Sequence, residues 1–235
     1  MTSLNIRLMK KNKDQIILEK VKNDYNKIAS EFSQTRNHAW PEFEVLLPYL
    51  KEKDSLLDLG CGNGRLHQFL KEKIRIDYHG VDNSEKLLDE AKKINKEANF
   101  CEGDLAHIPY PAEKFDFVAT IAAFHHLPSP KLRRKCLEEI NRVLKNDGII
   151  AITAWNLFQK KYLKYIIKSY FKALFTFGKS KTRDTFIPWS KSGIKRYYYA
   201  FTYKELQKLL SQHFRILHSE VGKNFIFICQ KKSRS

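Results

Sequence analysis

Along this chain the spacing of apolar residues changes from one period to another. In "DQIILEKVKNDYNKIASEF" they recur three and four positions apart, which predicts a helix from about Asp14 to Phe32. The polar link "SQTRNHAWP" follows it. From Ser55 onward, short apolar runs alternate with charged stretches of helical spacing: "SLLDLG", "NGRLHQFLKEK", "YHGVDNS", "EKLLDEAKKINKE", "ANFCEGDL", "FDFVATIAAF", "PKLRRKCLEEINRVLK" and "GIIAITAW". Strands alternating with helices of this length predict a parallel, doubly wound sheet covered on both faces. The last two runs, "FRILHSEV" and "NFIFICQKK", lie a few residues apart and read as an antiparallel pair that closes the sheet.

One stretch fits neither period. "FIPWSKSGIKRYYYAFT" crowds rings and cations together, with a Pro-Trp pair and three consecutive tyrosines. It belongs to a block, Trp155 to Ala200, with eleven Lys or Arg against one Asp and thirteen aromatic rings. Its net of +10 is more than half of the chain's formal +17. Such an excess favours a polyanionic partner, nucleic acid or an anionic membrane surface, and a lysine-rich proteome would produce it too. At 235 residues the chain is expected to form one domain, 1–235, with a helical extension at 1–54 and an insert at 155–205 on the ligand side of the sheet.

Cysteine usage narrows the class further. Cys61, Cys101, Cys136 and Cys229 form no C-x-x-C pair and have no histidine at zinc spacing, so neither a metal site nor a disulfide framework is expected. A reducing cytoplasm fits this pattern. No apolar run reaches signal-peptide or membrane-span length, so a soluble protein without integral membrane association is expected.

The candidate chemistry begins at "LLDLGCGNGRL", where a strand runs through Gly60, Gly62 and Gly64 into a helix. Glycines suit a turn that must be sharp and let a ligand approach the backbone, with free N–H groups at the start of the next helix. Asp58 precedes the loop, Asp82 ends the next strand, and Asp104 closes the third in "EGDL". An acid in the place of Asp82 suits two ribose hydroxyls. Three carboxylates at successive strand ends, with no basic residue in the loop before Arg65, suit a ligand that lacks phosphates and carries an ammonium. S-adenosylmethionine matches that description better than a nicotinamide dinucleotide.

The order "DLGCGNG", "GVDNS", "EGDL", "FDFVATIAAFHHL" resembles the class I S-adenosylmethionine-dependent methyltransferases over roughly residues 54–156. The resemblance implies a Rossmann-like seven-stranded sheet. It implies that Asp58 and the backbone of Gly60, Cys61 and Gly62 hold the methionine part, Asp82 and Asn83 the ribose, and Asp104 and Leu105 the adenine, with Ile121 and Ala122 lining the site. Cys61 reads as a small residue that fits the loop. The flanks "YNKIASEFSQTRNHAWP" and "DTFIPWSKSGIKRYYYAFTYKELQKLL" look like the tRNA methyltransferases that esterify 5-carboxymethyluridine at the wobble position, stand-alone or fused to an AlkB-type dioxygenase. Ser190 and Tyr199 stand where that family carries histidines. The resemblance implies tRNA as substrate and a small zinc-binding activator subunit as partner.

Transfer of a methyl group to a carboxylate needs no general base, because the acceptor is already ionised at neutral pH. Positioning then dominates, and arginine can clamp a carboxylate with paired hydrogen bonds, which nominates Arg36 and Arg196. Arg36 could equally hold the cofactor's own carboxylate. His125 and His126 follow the fourth strand and either order the loop or touch the substrate, with His126 the catalytic candidate. Trp189 and Tyr197 are the candidates to stack on the acceptor nucleoside. Three other readings stand beside this one: a small-molecule methyltransferase of the same fold, a methyltransferase held at a membrane surface by "FQKKYLKYIIKSYFKALFTFGK", and a non-catalytic RNA-binding module.

Overall fold

A computed structural model of the chain describes residues 11–36, 38, 40–175, 182–189 and 192–232. Helix α1 (Lys13–Thr35) begins with a reciprocal cap: the Asn12 side chain accepts from the Gln15 N–H at 2.9 Å, and the Gln15 side chain accepts from the Asn12 N–H at 2.9 Å. Ile17, Val21 and Ile28 form its buried stripe. A 3₁₀ helix, Pro41–Tyr49, leads into the sheet.

The strands are β1 (Ser55–Leu59), β2 (Asp77–Asp82), β3 (Asn99–Glu102), β4 (Phe115–Ile121), β5 (Leu144–Trp155), β6 (Asp184–Pro188), β7 (Lys195–Tyr199), β8 (Phe214–Val221) and β9 (Asn224–Lys231). Seven of them form one sheet in the order β3-β2-β1-β4-β5-β9-β8. The first five run parallel, and β9 and β8 close the sheet as an antiparallel pair. Helices α2 (Arg65–Leu70), α3 (Glu85–Ile94), α4 (Pro130–Val143) and α6 (Tyr203–His213) make the connections around it.

Alternation along the strands divides the core into two layers. Leu57, Leu59, Ile150 and Phe227 pack toward Leu137 and Ile140 of α4 and Leu206 and Leu210 of α6. Leu56, Phe117, Ala151 and Ile228 point the other way, onto Phe43 and Leu46 of the 3₁₀ helix and Leu66 and Phe69 of α2. The strand order reverses between β1 and β4, and this switch point opens a crevice beyond the carboxyl ends of both strands. The four cysteines are unpaired, with Cys61, Cys136 and Cys229 buried.

The insert that showed no period in sequence is a helix followed by a hairpin. Helix α5 (Lys160–Phe175) packs its Ile166 with Ile187 of β6. Strands β6 and β7 pair antiparallel as a separate two-stranded sheet, with Phe186 opposite Tyr197 and Ile187 opposite Arg196. A two-residue period is therefore present. Three adjacent residues of one type hide it, and a buried arginine replaces the usual apolar partner on one face.

Tyr197 and Tyr198 accordingly point to opposite sides. Tyr197 packs on Ile17 and Val21 of α1, and its hydroxyl donates to Asp184 at 2.8 Å. Removing that hydroxyl leaves a buried carboxylate oxygen without its donor, at a cost of about 1–3 kcal/mol. Tyr197→Phe should therefore lower the urea midpoint of unfolding while leaving S-adenosylhomocysteine affinity unchanged. An unchanged midpoint would show that this hydrogen bond does not hold the hairpin on α1.

Candidate active site

The loop after β1 is built on three left-handed glycines, with φ of 82° at Gly60, 55° at Gly62 and 71° at Gly64. At Gly60 a Cβ would lie 2.3 Å from the Ala123 side chain, so any larger residue would push the loops after β1 and β4 apart. The Gly60 and Cys61 N–H groups both donate to the Val81 carbonyl, at 2.7 and 3.0 Å, pinning the loop to β2. One turn later the Gly62 N–H donates to Asp82 at 2.9 Å, while the other oxygen of Asp82 accepts from the Ser84 N–H at 2.8 Å. This fixes the rotamer of the carboxylate that ends β2.

A cavity with about 1050 Å³ of space between protein atoms, part of it open to solvent, sits over this loop. Asp58, Gly60, Cys61, Gly62, Asp82, Asn83, Asp104, Leu105, Ile121 and Ala122 all line it. The Asp58 carboxylate is buried and accepts from the Tyr78 hydroxyl at 2.6 Å. Burial pushes its pKa up to about 7, against the Tyr78 hydrogen bond and with Asp82 adding to the rise. Burial raises Asp82 as well, opposed by its backbone donors. Neither carboxylate is ion-paired with a cation among the described residues. Two carboxylates without an ion pair, Asp58 buried and Asp82 half-buried, beside a loop with no room for a Cβ at Gly60 or Gly64, match the ammonium and ribose hydroxyls of S-adenosylmethionine. The donor set therefore fits that cofactor.

The rest of the lining comes largely from α1 and the insert. Leu18, Val21, Tyr25 and Phe32 of α1 contribute to it, together with Arg36, Trp40, Arg65, His125, His126, Trp155, Arg196 and Tyr198. Arg196 is 5% exposed and has no carboxylate partner among the described residues. Its guanidinium lies 4.5 Å from the Trp189 ring centroid and 5.3 Å from that of Tyr198, and it donates to the Tyr25 hydroxyl at 3.4 Å. Arg36 lies against the same indole, 5.2 Å from the Trp189 ring centroid. Arg65 lies 4.3 Å over Trp40, and burial with Arg36 nearby lowers its pKa to about 10.

The two histidines differ in what they leave free. His126 Nδ1 lies 2.7 Å from the Tyr197 carbonyl, so it carries the hydrogen and donates, and Nε2 accepts from the Tyr25 hydroxyl at 3.0 Å. Burial and the nearby Arg196 push its pKa down to about 3, so the ring is neutral with both nitrogens engaged. His125 accepts from the Trp155 N–H at Nδ1, 3.2 Å away, which places its hydrogen on Nε2. That buried N–H has no partner among the described residues, and burial holds its pKa well below the ordinary value.

Two expected stacking residues are placed differently. Tyr197 does not line the cavity, because strand alternation turns it onto α1; its neighbour Tyr198 takes the cavity side. Trp189 lies behind the two arginines, 5.8 Å from Phe32, and supports them rather than facing the opening. Ser190, the position of the missing family histidine, lies outside the described residues. Tyr199 also points away, donating to Glu205 at 2.6 Å under the Arg133 guanidinium. Sequence reasoning passed over Tyr25, Arg65 and Trp155 as site residues, and among the three consecutive tyrosines it nominated Tyr197 where Tyr198 lines the cavity. Tyr25 begins the quoted "YNKIASEF" stretch and could have been found there.

Residues 57–152 match the family described as methyltransferase domain. A solved S-adenosylmethionine-dependent methyltransferase from Methanosarcina mazei superposes with a TM-score of 0.70 at 24% identity, covering 82% of this chain and 98% of that one. The family match gives the chain a methyltransferase domain, the structural likeness shows its Rossmann-like fold, and the cavity described above fits S-adenosylmethionine as the methyl donor. In sequence it is similar to the tRNA (carboxymethyluridine(34)-5-O)-methyltransferase of Schizosaccharomyces pombe, 29% identical over 199 residues, which are 79% of this chain and 84% of that protein. The Xenopus tropicalis protein named tRNA (carboxymethyluridine(34)-5-O)-methyltransferase alkbh8 is 34% identical over 146 residues, 60% of this chain. This chain covers 22% of the frog protein's length. The protein solved in complex with the Trm112 methyltransferase activator of Haloferax volcanii shares the fold, with a TM-score of 0.67 at 14% identity over 92% of this chain and 99% of that one.

The raised Asp58 gives the cofactor site a pH dependence of definite sign. An ammonium beside it favours the ionised form, so cofactor binding releases a proton below pH 7 and strengthens as pH rises toward that value. Calorimetric titration with S-adenosylhomocysteine should show affinity falling by up to about tenfold per unit as pH drops below 7. Asp58→Asn should bind more weakly with a flatter profile. A flat profile in the unsubstituted protein would contradict the placement of the ammonium at Asp58.

Proposed function

We propose that this methyltransferase acts on tRNA and methylates the carboxylate of a 5-carboxymethyl-type uridine at the wobble position. Arg196 is the observation that carries the proposal. Stacking on Trp189 is worth roughly 0.5–2 kcal/mol, whereas an uncompensated buried charge costs several kcal/mol. Packing therefore leaves this guanidinium in need of an anion. The Nε–H of Arg196 and the Nε2–H of His125 are both buried donors with no acceptor among the described residues. Lining the same cavity as Asp58 and Asp82, they suit an acceptor that is anionic and rich in carbonyl oxygens. A carboxymethylated uracil is both. The relatives named for that reaction support the same acceptor.

S-adenosylmethionine supplies a methyl group activated on a sulfonium. Arg196 would hold the acceptor carboxylate by one edge, leaving an oxygen lone pair free to form the O–CH3 bond as the S–CH3 bond breaks. No proton has to be removed, which agrees with a neutral His126 whose nitrogens are both engaged. His126 then serves as a positioning residue for Tyr25 and β7. Arg36 borders both halves of the cavity, and we assign it to a carboxylate, either the cofactor's or the acceptor's. Exposed lysines of the insert outside α5, Lys195 among them, would meet RNA phosphates. A small activator subunit, as in the Haloferax complex, and a cytoplasmic site of action complete the reading.

Asp82→Ala should abolish S-adenosylhomocysteine binding in calorimetry. Arg196→Ala should retain that binding and lose methyl ester formation by about 100-fold or more, read by mass spectrometry of nucleosides from hypomethylated tRNA incubated with labelled cofactor. Full turnover by Arg196→Ala would remove the role assigned to it. Methylation of a small acid but not of tRNA would replace the acceptor.

A further inference from the structure

Helix α5 is buried along one stripe and exposes an apolar one. Ile166, Ser169 and Ala173 face the protein. At about 100° per residue, Leu163, Ile167, Tyr170, Phe171, Leu174 and Phe175 fall together on one broad face that adjoins the buried stripe. All six are exposed, and the fraction rises to 71% at Leu174 and 78% at Phe175. Single exposed apolar residues are ordinary, whereas a continuous stripe of this kind marks a contact surface. Lys161 and Lys168 border one edge of the stripe, Lys160 and Lys164 interleave with it toward the N-terminal end, and α5 carries no acidic residue.

We propose that α5 docks this protein on an anionic membrane surface, lying parallel to it with the Leu163–Phe175 stripe among the acyl chains and the lysines at the headgroups. Charge complementarity and side-chain type both select this occupant. Leu163, Ile167 and Leu174 offer RNA bases nothing to stack on, while aliphatic and aromatic residues bordered by lysines form the pattern of helices that lie in an interface. Each lysine near such a surface strengthens partitioning by roughly fivefold. No helix among the described residues is long and apolar enough to cross a membrane, so α5 would lie on the bilayer and not span it. The buried side of α5 packs with Ile187 and Tyr198, so docking would place the β6–β7 hairpin close to the lipid surface. This inference is independent of the acceptor proposed above.

Flotation with phosphatidylcholine vesicles, with and without phosphatidylserine, tests it. The protein should float with phosphatidylserine vesicles and remain unbound with phosphatidylcholine alone. The triple substitution Phe171→Ser, Leu174→Ser, Phe175→Ser should lower the bound fraction about tenfold or more. Lys160→Glu with Lys164→Glu should do the same. Both variants alter exposed positions, and an unchanged melting temperature and S-adenosylhomocysteine affinity would confirm that they fold. Failure to float with anionic vesicles overturns the proposal, as does flotation of the triple-serine variant equal to that of the parent. Loss of tRNA gel shift, or of self-association in light scattering, with flotation unaffected would reassign the stripe to RNA or to a second copy.

Discussion

His126 takes a hydrogen bond from Tyr25 of α1 on one ring nitrogen and gives one to the Tyr197 carbonyl of β7 through the other. Those partners lie 101 and 71 residues away in sequence, and the imidazole joins them at the end of the central strand β4. An open doubly wound sheet leaves its switch-point crevice exposed to water. Here α1 and the hairpin are brought over it, and a neutral ring buried among aromatics is the tie. Protonating that ring would replace the acceptor at Nε2 with a second donor and set a charge beside Arg196. Burial keeps this from happening at physiological pH. The walls of the cavity depend on a ring whose two nitrogens are both engaged in holding them.

Both signs of charge line the cavity the tie encloses. Carboxylates come from the strand ends of the sheet, and arginines come from the end of α1, from α2 and from the insert. Asp58 and Asp82 form no ion pair among the described residues, although Arg65 acts on Asp58 from α2, and Arg196 has no carboxylate partner there. Each set is costly alone in a low-dielectric site, and each cost is offset by a ligand group of opposite sign. Ala122, with a φ of 54° and its N–H held by Thr153, marks the strained turn between the two halves.

Much of this was legible from local pattern. The alternation of strands and helices, the glycine turn and the acids at three strand ends are each written within a few residues, and period or spacing suffices to find them. The cavity side of the hairpin was not. Alternation says that Tyr197 and Tyr198 face opposite ways but not which faces the ligand, and three consecutive tyrosines give no difference in polarity to decide it. The roles of His125 and His126 were equally hidden. They depend on Trp155, Tyr25 and a backbone carbonyl supplied by distant segments. The apolar stripe of α5 was visible as composition. Its separation into a buried and an exposed side needed the packing against β6.

Strands β6 and β7 hydrogen-bond to each other and form a sheet apart from the seven-stranded one. The register that aligns Asp58 with Gly80, and so sets the cofactor loop beside β2, is carried wholly by the larger sheet. A change of length or composition in the hairpin therefore leaves that register intact. Descent with modification can rewrite the acceptor side while the cofactor side is inherited whole, and one scaffold can pass between substrates without ever losing its hold on the methyl donor.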